Sequence, residues 1–227
     1  MSTSNTGGWI QAGLFLLPVY GILTFVGTFT HQPNPDTDFA AYAQYLSTTS
    51  YLVQHLVCSI IGTVLGIFGT ISLGAYLSGS RSGRLGLLAM VAGVAGSALI
   101  LTIFGFATFV SPAIGNAYLA GQHQAEEINQ AILGLPLILT ALSGGLLYTA
   151  STILFGIAIW RSEGLPRWAG VLYAPAGFLI SILGLMIGAS QTAGAVLLIA
   201  GTSWIAWSAM RRPSADTVDV GAQPRVQ

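Results

Sequence analysis

The sequence predicts an all-α protein, a polytopic transmembrane bundle of six helices with both termini in the cytoplasm. Three observations predict it: a low content of charge, six long apolar runs and an uneven distribution of arginine. Only 6% of the 227 residues are charged and 53% are hydrophobic, with a mean hydropathy of +0.75, whereas a soluble domain carries about 25% charged residues. This composition excludes a soluble globular domain, a disordered chain and a nucleic-acid-binding protein.

Apolar runs long enough to cross a hydrocarbon core of about 30 Å occur repeatedly along the chain. We place the spans at residues 9–30, 51–77, 85–110, 138–160, 168–188 and 193–210. They form one transmembrane domain over residues 1–212, and the polar residues 213–227 are expected to form a flexible cytoplasmic tail. Pro136 is expected to mark the outer edge of the fourth span, while Pro18 and Pro175 should kink the first and fifth spans.

The distribution of arginine predicts the orientation of the spans. Every cationic residue is an arginine, and all lie in the second-to-third loop, the fourth-to-fifth loop or the C-terminal tail: Arg81, Arg84, Arg161, Arg167, Arg211, Arg212 and Arg225. Because cytoplasmic loops are enriched in positive charge, these segments are expected to be cytoplasmic. The loops over residues 31–50 and 111–130 are then extracytoplasmic, and the first should contain a short helix that begins near Asp38.

One loop also carries a resemblance. The segment Arg161-Ser-Glu-Gly-Leu-Pro-Arg-Trp-Ala-Gly170 resembles the short cytoplasmic turns that join two spans in small six-helix bacterial membrane proteins of unknown function. The resemblance covers the number of spans, the size of the chain and this loop. It implies a location in the bacterial cytoplasmic (inner) membrane, and it brings no catalytic residues with it.

Several classes of membrane protein lack their necessary residues in this chain. No Asp, Glu, Lys or Arg lies deep in a predicted span, although proton-coupled transporters and pumps usually keep an ionisable group near the midplane. No H-E-x-x-H motif is present, and the single cysteine excludes an intramolecular disulfide and a cysteine zinc knuckle. The sequence therefore favours a non-enzymatic protein, while enzymatic activity stays open.

A polar stripe at the outer end of the second span is the first candidate ligand-binding site. It consists of Tyr51, Gln54, His55 and Cys58, which are spaced three or four residues apart and so share one face of a helix. Such a stripe is expected to line the mouth of a cavity or to bind a lipid or quinone head group. The alternative is that its members satisfy one another by hydrogen bonds between helices.

The extracytoplasmic histidines and glutamates form the second candidate, a metal site. Its members are His31, His55, His123, Glu126 and Glu127. His123 shares a helix face with the two glutamates, and mixed imidazole and carboxylate ligands suit Zn, Fe, Mn or Cu. A metal or haem is the cofactor that this set implies. The alternatives are ordinary solvated polarity and a pH-responsive cluster.

Three functional hypotheses follow from these observations. The first is a protein that binds or passes a small neutral or lipophilic ligand, because no charge lies in the spans. The second is a metal- or haem-binding redox protein or enzyme that uses the extracytoplasmic His/Glu cluster. The third is an accessory or structural subunit. Its partners are membrane lipids and a second copy of the chain, held through glycine-rich faces such as Gly62-x-x-x-Gly66 and Gly184-x-x-x-Gly188.

Overall fold

The computed structural model describes residues 4–30 and 32–211, and within these ranges the chain is helical and contains no strand. In this part of the chain, six helical segments are long and apolar enough to cross a membrane. Here called spans 1 to 6, they are Gly7–Gly27, Thr49–Ser78, Gly83–Leu119, Leu135–Arg161, Arg167–Leu185 and Gly188–Met210. The predicted tail over residues 213–227 and the predicted ligand His31 lie outside the described residues.

Most spans are built from more than one helical element. Span 1 joins α1 (Ser4–Leu14) and α2 (Leu16–Gly27), and α3 (Phe39–Leu46) follows it. Span 2 joins α4 (Thr49–Gln54), a π-helix (His55–Ile61) and α5 (Gly62–Ser78). Span 3 joins α6 (Gly83–Gly105), a second π-helix (Phe106–Val110) and α7 (Ser111–Leu119). The remaining helices are α8 (Gln124–Ile132), α9 (Leu135–Arg161), α10 (Arg167–Tyr173), α11 (Ala176–Ser181), the 3-10 turn Leu183–Leu185 and α12 (Gly188–Met210).

Proline determines where several helices begin and end. Helix α1 ends at Leu14, four residues before Pro18, and α10 ends at Tyr173, just before Pro175. Proline has no backbone N–H and its ring clashes with the carbonyl four residues earlier, so a helix is interrupted there. Pro136 lies in the first turn of α9, where the missing N–H has no helical partner to lose.

Span 3 is longer than the sequence predicts. The sequence predicts the end of the third span at residue 110, followed by a loop with short helical pieces over residues 111–130. The structure instead places Pro112 in the first turn of α7, directly after the π-helix Phe106–Val110. A proline is tolerated in the first turn of a helix, so the helical path continues to Leu119.

The six spans form a closed ring in the order of the chain. Helix α2 packs on α5, α5 on α6, α6 on α9, α9 on α10 and α11, α11 on α12, and α12 returns to α2. Glycine allows the closest of these approaches. A Cβ added to Gly96 of span 3 would lie 2.8 Å from the carbonyl oxygen of Gly144 on span 4, and one added to Gly156 would lie 2.8 Å from that of Gly170. These glycines therefore serve contacts within the bundle.

The two ends of the ring are packed differently. The end near the arginine-bearing loops is filled by a continuous apolar core that includes Leu77, Phe155, Ile159, Tyr173 and Ile205. At the opposite end, called the capped end here, α3, α7 and α8 form a layer of their own around a second apolar cluster. This cluster contains Phe39, Tyr42, Ala43, Leu46, Tyr51, Ile114 and Ala125.

Helix α3 begins where the sequence predicts a short helix. The Asp38 carboxylate accepts a hydrogen bond of 2.9 Å from the Ala41 N–H, which caps the first turn of α3. The Phe39 ring packs edge-to-face against Tyr118 of α7, with 4.8 Å between the ring centroids. Burial raises the pKa of the Tyr42 and Tyr45 hydroxyls, so both are neutral at physiological pH.

Candidate functional site

A central cavity of about 310 Å³ lies between the spans in the half of the ring nearest the capped end. Each of the six spans contributes to its wall, because the ring is closed. Its volume lies near the lower limit for small-molecule sites, which usually occupy roughly 300–1,000 Å³. It is the feature of the described chain in which side chains from the whole bundle converge.

The wall of the cavity has a polar side and an apolar side. Spans 1 and 2 supply most of the polar groups: Tyr20, Thr24, Thr28, His55, Cys58, Ser59 and Thr63. Spans 3, 4 and 5 supply the apolar side: Ile100, Ile103, Phe104, Ala141, Ile180 and Leu185. The lining residues include no Asp, Glu, Lys or Arg. A charged ligand would therefore lose its water without gaining a counter-ion, at a large cost in free energy.

The ring of His55 has a defined hydrogen-bonding role. Its Nδ1 lies 3.0 Å from the carbonyl oxygen of Tyr51. Because a carbonyl oxygen only accepts, Nδ1 carries a proton, and in the neutral ring Nε2 is left as an acceptor. The Tyr51 ring stacks on His55 at a centroid distance of 4.0 Å, and the Tyr51 hydroxyl donates to the Ala107 carbonyl at 2.9 Å. These contacts fix the orientation of the imidazole and join Tyr51 to span 3.

Two π-helices lie side by side at the level of the cavity. His55–Ile61 in span 2 contributes His55, Cys58 and Ser59 to the wall, and it contacts Phe106–Val110 in span 3. A π-helix contains one more residue in its hydrogen-bonded turn than an α-helix, and such segments are common at functional sites. The π-helix is therefore a second feature of this wall, besides its polar side chains, that is typical of a functional site.

Two tyrosines close the inner end of the cavity. Tyr20 of span 1 and Tyr148 of span 4 meet edge-to-face across the ring, with 6.5 Å between their centroids. Tyr148 is 4% exposed, and its buried hydroxyl, which has the Tyr20 side chain as a polar neighbour, forms no hydrogen bond of ordinary geometry. Beyond this pair lies the apolar core, which Tyr20 also contacts. The cavity is therefore closed at one end.

Polar contacts near the end of the cavity that faces the capped end join span 6 to its neighbours. The Thr192 hydroxyl donates to the Thr28 hydroxyl at 3.1 Å, which joins spans 6 and 1. Gln191 lines the cavity one residue earlier and packs directly on Gly184 of span 5. The adjacent Leu185 and Met186 are 64% and 84% exposed, so an apolar surface borders this end.

The predicted polar stripe is divided by the structure. His55 and Cys58 line the cavity, and the Tyr51 ring stacks on the His55 ring. Gln54 instead donates a hydrogen bond of 3.4 Å to the Gly27 carbonyl and is not part of the wall. Sequence reasoning missed most of the other polar lining residues, such as Tyr20, Thr63 and Tyr148. The sequence feature that could have identified these residues is an isolated hydroxyl group within an apolar run.

The residues of the predicted metal set lie in different surroundings. His55 lies at the central cavity, whereas His123 packs on the Tyr118 ring at 5.1 Å beside a separate shallow groove. In residues 4–30 and 32–211, no group of three or more His, Cys, Asp or Glu side chains is arranged to hold a metal ion. Glu126 and Glu127, the other two members of the predicted set that the structure describes, belong to α8. His31 lies outside the described residues.

Comparison of the chain with protein-family models, with curated proteins and with solved structures finds no match. The features that point to a function are therefore the geometry of the cavity and the chemistry of its wall.

Proposed function

We propose that the protein binds a small, neutral, lipophilic molecule in the central cavity. The observation that carries this proposal is a cavity bordered by all six spans with hydroxyl, thiol, imidazole and amide groups but no charged side chain in its wall. Binding pockets for small molecules are mostly apolar, with a few polar groups that fix the orientation of the ligand. The wall of this cavity has that composition.

The same proposal includes the orientation of the protein. The described arginines lie at the end of the ring opposite the cavity: Arg81, Arg84, Arg161, Arg167 and Arg211. The positive-inside rule then places both termini in the cytoplasm and the cavity in the outer half of the bilayer. We assign the protein to a bacterial cytoplasmic membrane on the resemblance of its fourth-to-fifth loop.

Binding is favoured over passage because the cavity has a closed inner end. A ligand that crossed the bundle would have to separate Tyr20 from Tyr148 and then pass through the apolar core beyond them. The exposed apolar side chains Leu185 and Met186 border the outer end. They favour entry of the ligand from the lipid phase rather than from water.

Cys58 allows a direct test, because it is the single cysteine of the chain and lines the cavity. The rate of its modification by N-ethylmaleimide is measured on purified protein in nanodiscs, with and without 1-octanol. We expect octanol to slow the reaction. Octanoate and octylammonium have the same alkyl chain but a charge, and are expected to give no protection because the wall offers no counter-ion.

A pair of variants separates occupation of the cavity from a general effect on the bilayer. Ala141 lines the cavity, whereas the next residue, Leu142, is 39% exposed on the outside of the ring. Ala141→Phe should fill the cavity and remove the protection of Cys58 by octanol, while Leu142→Phe should retain it. Protection of equal size with the charged compounds, or in Ala141→Phe, would contradict the proposal.

A further inference from the structure

A positively charged groove lies at the opposite end of the ring from the cavity. It is lined by Arg81 from the loop between spans 2 and 3, by Arg84 in the first turn of span 3, by Arg161 at the end of span 4, and by the serines Ser78, Ser80 and Ser82. Two segments that are far apart in the sequence thus bring three guanidinium groups to one groove. Because like charges repel one another, an anion bound between them would stabilise this arrangement.

The charge of this groove is only partly neutralised by the protein. Arg81 forms an ion pair of 3.3 Å with Glu163, and both side chains are largely exposed. Arg167 and Arg211 lie elsewhere, over the rings of Trp160 and Trp207. In the described part of the chain, Arg84 and Arg161 have no carboxylate within ion-pair distance.

The N-terminus of α6 opens into the same groove. This helix has 23 residues and begins at Gly83, and the Gly83 N–H is already bonded to the Ser80 carbonyl at 3.0 Å. The N–H groups of Arg84 and Leu85 belong to the first turn and have no acceptor within the helix. Together with the helix dipole, they make this end of α6 suited to an anion.

Ser82 supplies a further polar group to the groove. It is 6% exposed, lines the groove and precedes the first residue of α6. A serine at this position usually caps the helix by accepting a hydrogen bond from a first-turn N–H. The Ser82 side chain makes no such bond. The Ser82 hydroxyl is thus left free to donate a hydrogen bond to an anion bound in the groove.

We propose that this groove binds the phosphate group of an anionic membrane lipid. Arginine forks and free helix N–H groups are the standard ligands of phosphate oxygens. The groove lies where spans 2, 3 and 4 end, at Ser78, Gly83 and Arg161, which is the level of lipid head groups. This site is independent of the central cavity.

The test is native mass spectrometry of the protein released from nanodiscs of mixed phosphatidylglycerol and phosphatidylcholine. We expect retention of phosphatidylglycerol over phosphatidylcholine, reduced at least severalfold in Arg84→Gln/Arg161→Gln. Arg211→Gln is the matched control, because Arg211 stacks on Trp207 away from the groove, and it should retain the lipid. Arg84→Lys/Arg161→Lys keeps the charge that orients the spans but loses the planar fork, so retention should be intermediate.

Each outcome decides the proposal. Equal retention in the glutamine double variant and in Arg211→Gln would overturn it, as would equal retention of the two lipids by the wild type. A further experiment adds inorganic phosphate as a competitor of the lipid. If phosphate displaces phosphatidylglycerol from the wild type and is itself retained in its place, the groove takes free phosphate and the assignment to a lipid is wrong. Ser82→Ala should weaken retention without changing the preference between the lipids.

Discussion

The rings of Tyr20 and Tyr148 meet edge-to-face across the middle of the bundle, with 6.5 Å between their centroids. Tyr20 belongs to span 1 and Tyr148 to the middle of span 4, and these spans occupy opposite positions in the ring of six. Edge-to-face pairs of this kind are worth about 1 kcal/mol beyond the area that they bury. The pair separates the hollow half of the bundle from the packed half, and so defines how deep a ligand can enter.

The hydroxyl of Tyr148 gives the first prediction. It is buried beside the Tyr20 side chain and forms no hydrogen bond of ordinary geometry, so its desolvation cost is poorly compensated. Tyr148→Phe removes this cost and keeps the ring, and we expect its thermal stability in detergent to equal or exceed that of the wild type. Thermal unfolding followed by circular dichroism measures the change.

Tyr51→Phe is the matched comparison for Tyr148→Phe. The Tyr51 hydroxyl donates to the Ala107 carbonyl at 2.9 Å, so its loss should lower the free energy of unfolding by about 1 kcal/mol. A lower stability for Tyr148→Phe than for Tyr51→Phe would contradict this prediction, because it would show that the Tyr148 hydroxyl has a strong hydrogen-bond partner in the protein.

Glycine in span 3 gives the second prediction. A Cβ at Gly96 would lie 2.7 Å from the backbone nitrogen of Tyr148, which cannot move independently of span 4. Gly96→Ala is therefore expected to destabilise the protein by about 1–3 kcal/mol, the usual cost of overpacking. Gly105 lies on the same helix with nothing within 4 Å of its Cβ position. Gly105→Ala should be neutral or stabilising by up to about 1 kcal/mol, because alanine favours a helix.

The comparison of these two variants tests the closeness of spans 3 and 4. Both replace glycine by alanine in α6, so differences in helix propensity cancel and the remaining difference reports the contact with span 4. Equal midpoints of thermal unfolding would mean that spans 3 and 4 are farther apart than their contact at Gly96 and Gly144 requires.

The apolar runs predicted the spans because length and hydropathy are properties of local sequence. They did not predict the two π-helices, since the extra residue in a π turn at His55–Ile61 leaves no mark in composition. The end of span 3 also differs from the prediction at residue 110, because the helical path continues to Leu119. A proline ends a helix or begins one, and which of these occurs depends on the preceding turn.

The composition of the candidate site was only partly predictable. The spacing of His55 and Cys58 indicates one helix face, and both residues line the cavity. The meeting of Tyr20 with Tyr148 depends on the closed order of the ring, which no pattern within a single span contains. In the same way, the sequence shows Arg84 and Arg161 as separate loop residues, and only the packing of the bundle places them in one groove.

The orientation of the bundle gives the third prediction. The rule that cytoplasmic loops carry arginine places Ser78 in the cytoplasm and Gln130 outside. Both residues are exposed in the structure, Gln130 on α8 and Ser78 at the end of α5. In a Cys58→Ala background, which removes the single native thiol, a cysteine is introduced at one of these positions in turn. Intact cells are then treated with a membrane-impermeant maleimide.

We expect Gln130→Cys to be labelled in intact cells and Ser78→Cys only after the membrane is permeabilised. The Cys58→Ala protein without a new cysteine gives the background, and labelling of both variants in detergent confirms that each thiol is reactive. The reverse pattern would place the cavity in the cytoplasmic half of the bilayer. A ligand would then enter from the inner leaflet, and the groove at Arg84 would face the head groups of the outer leaflet.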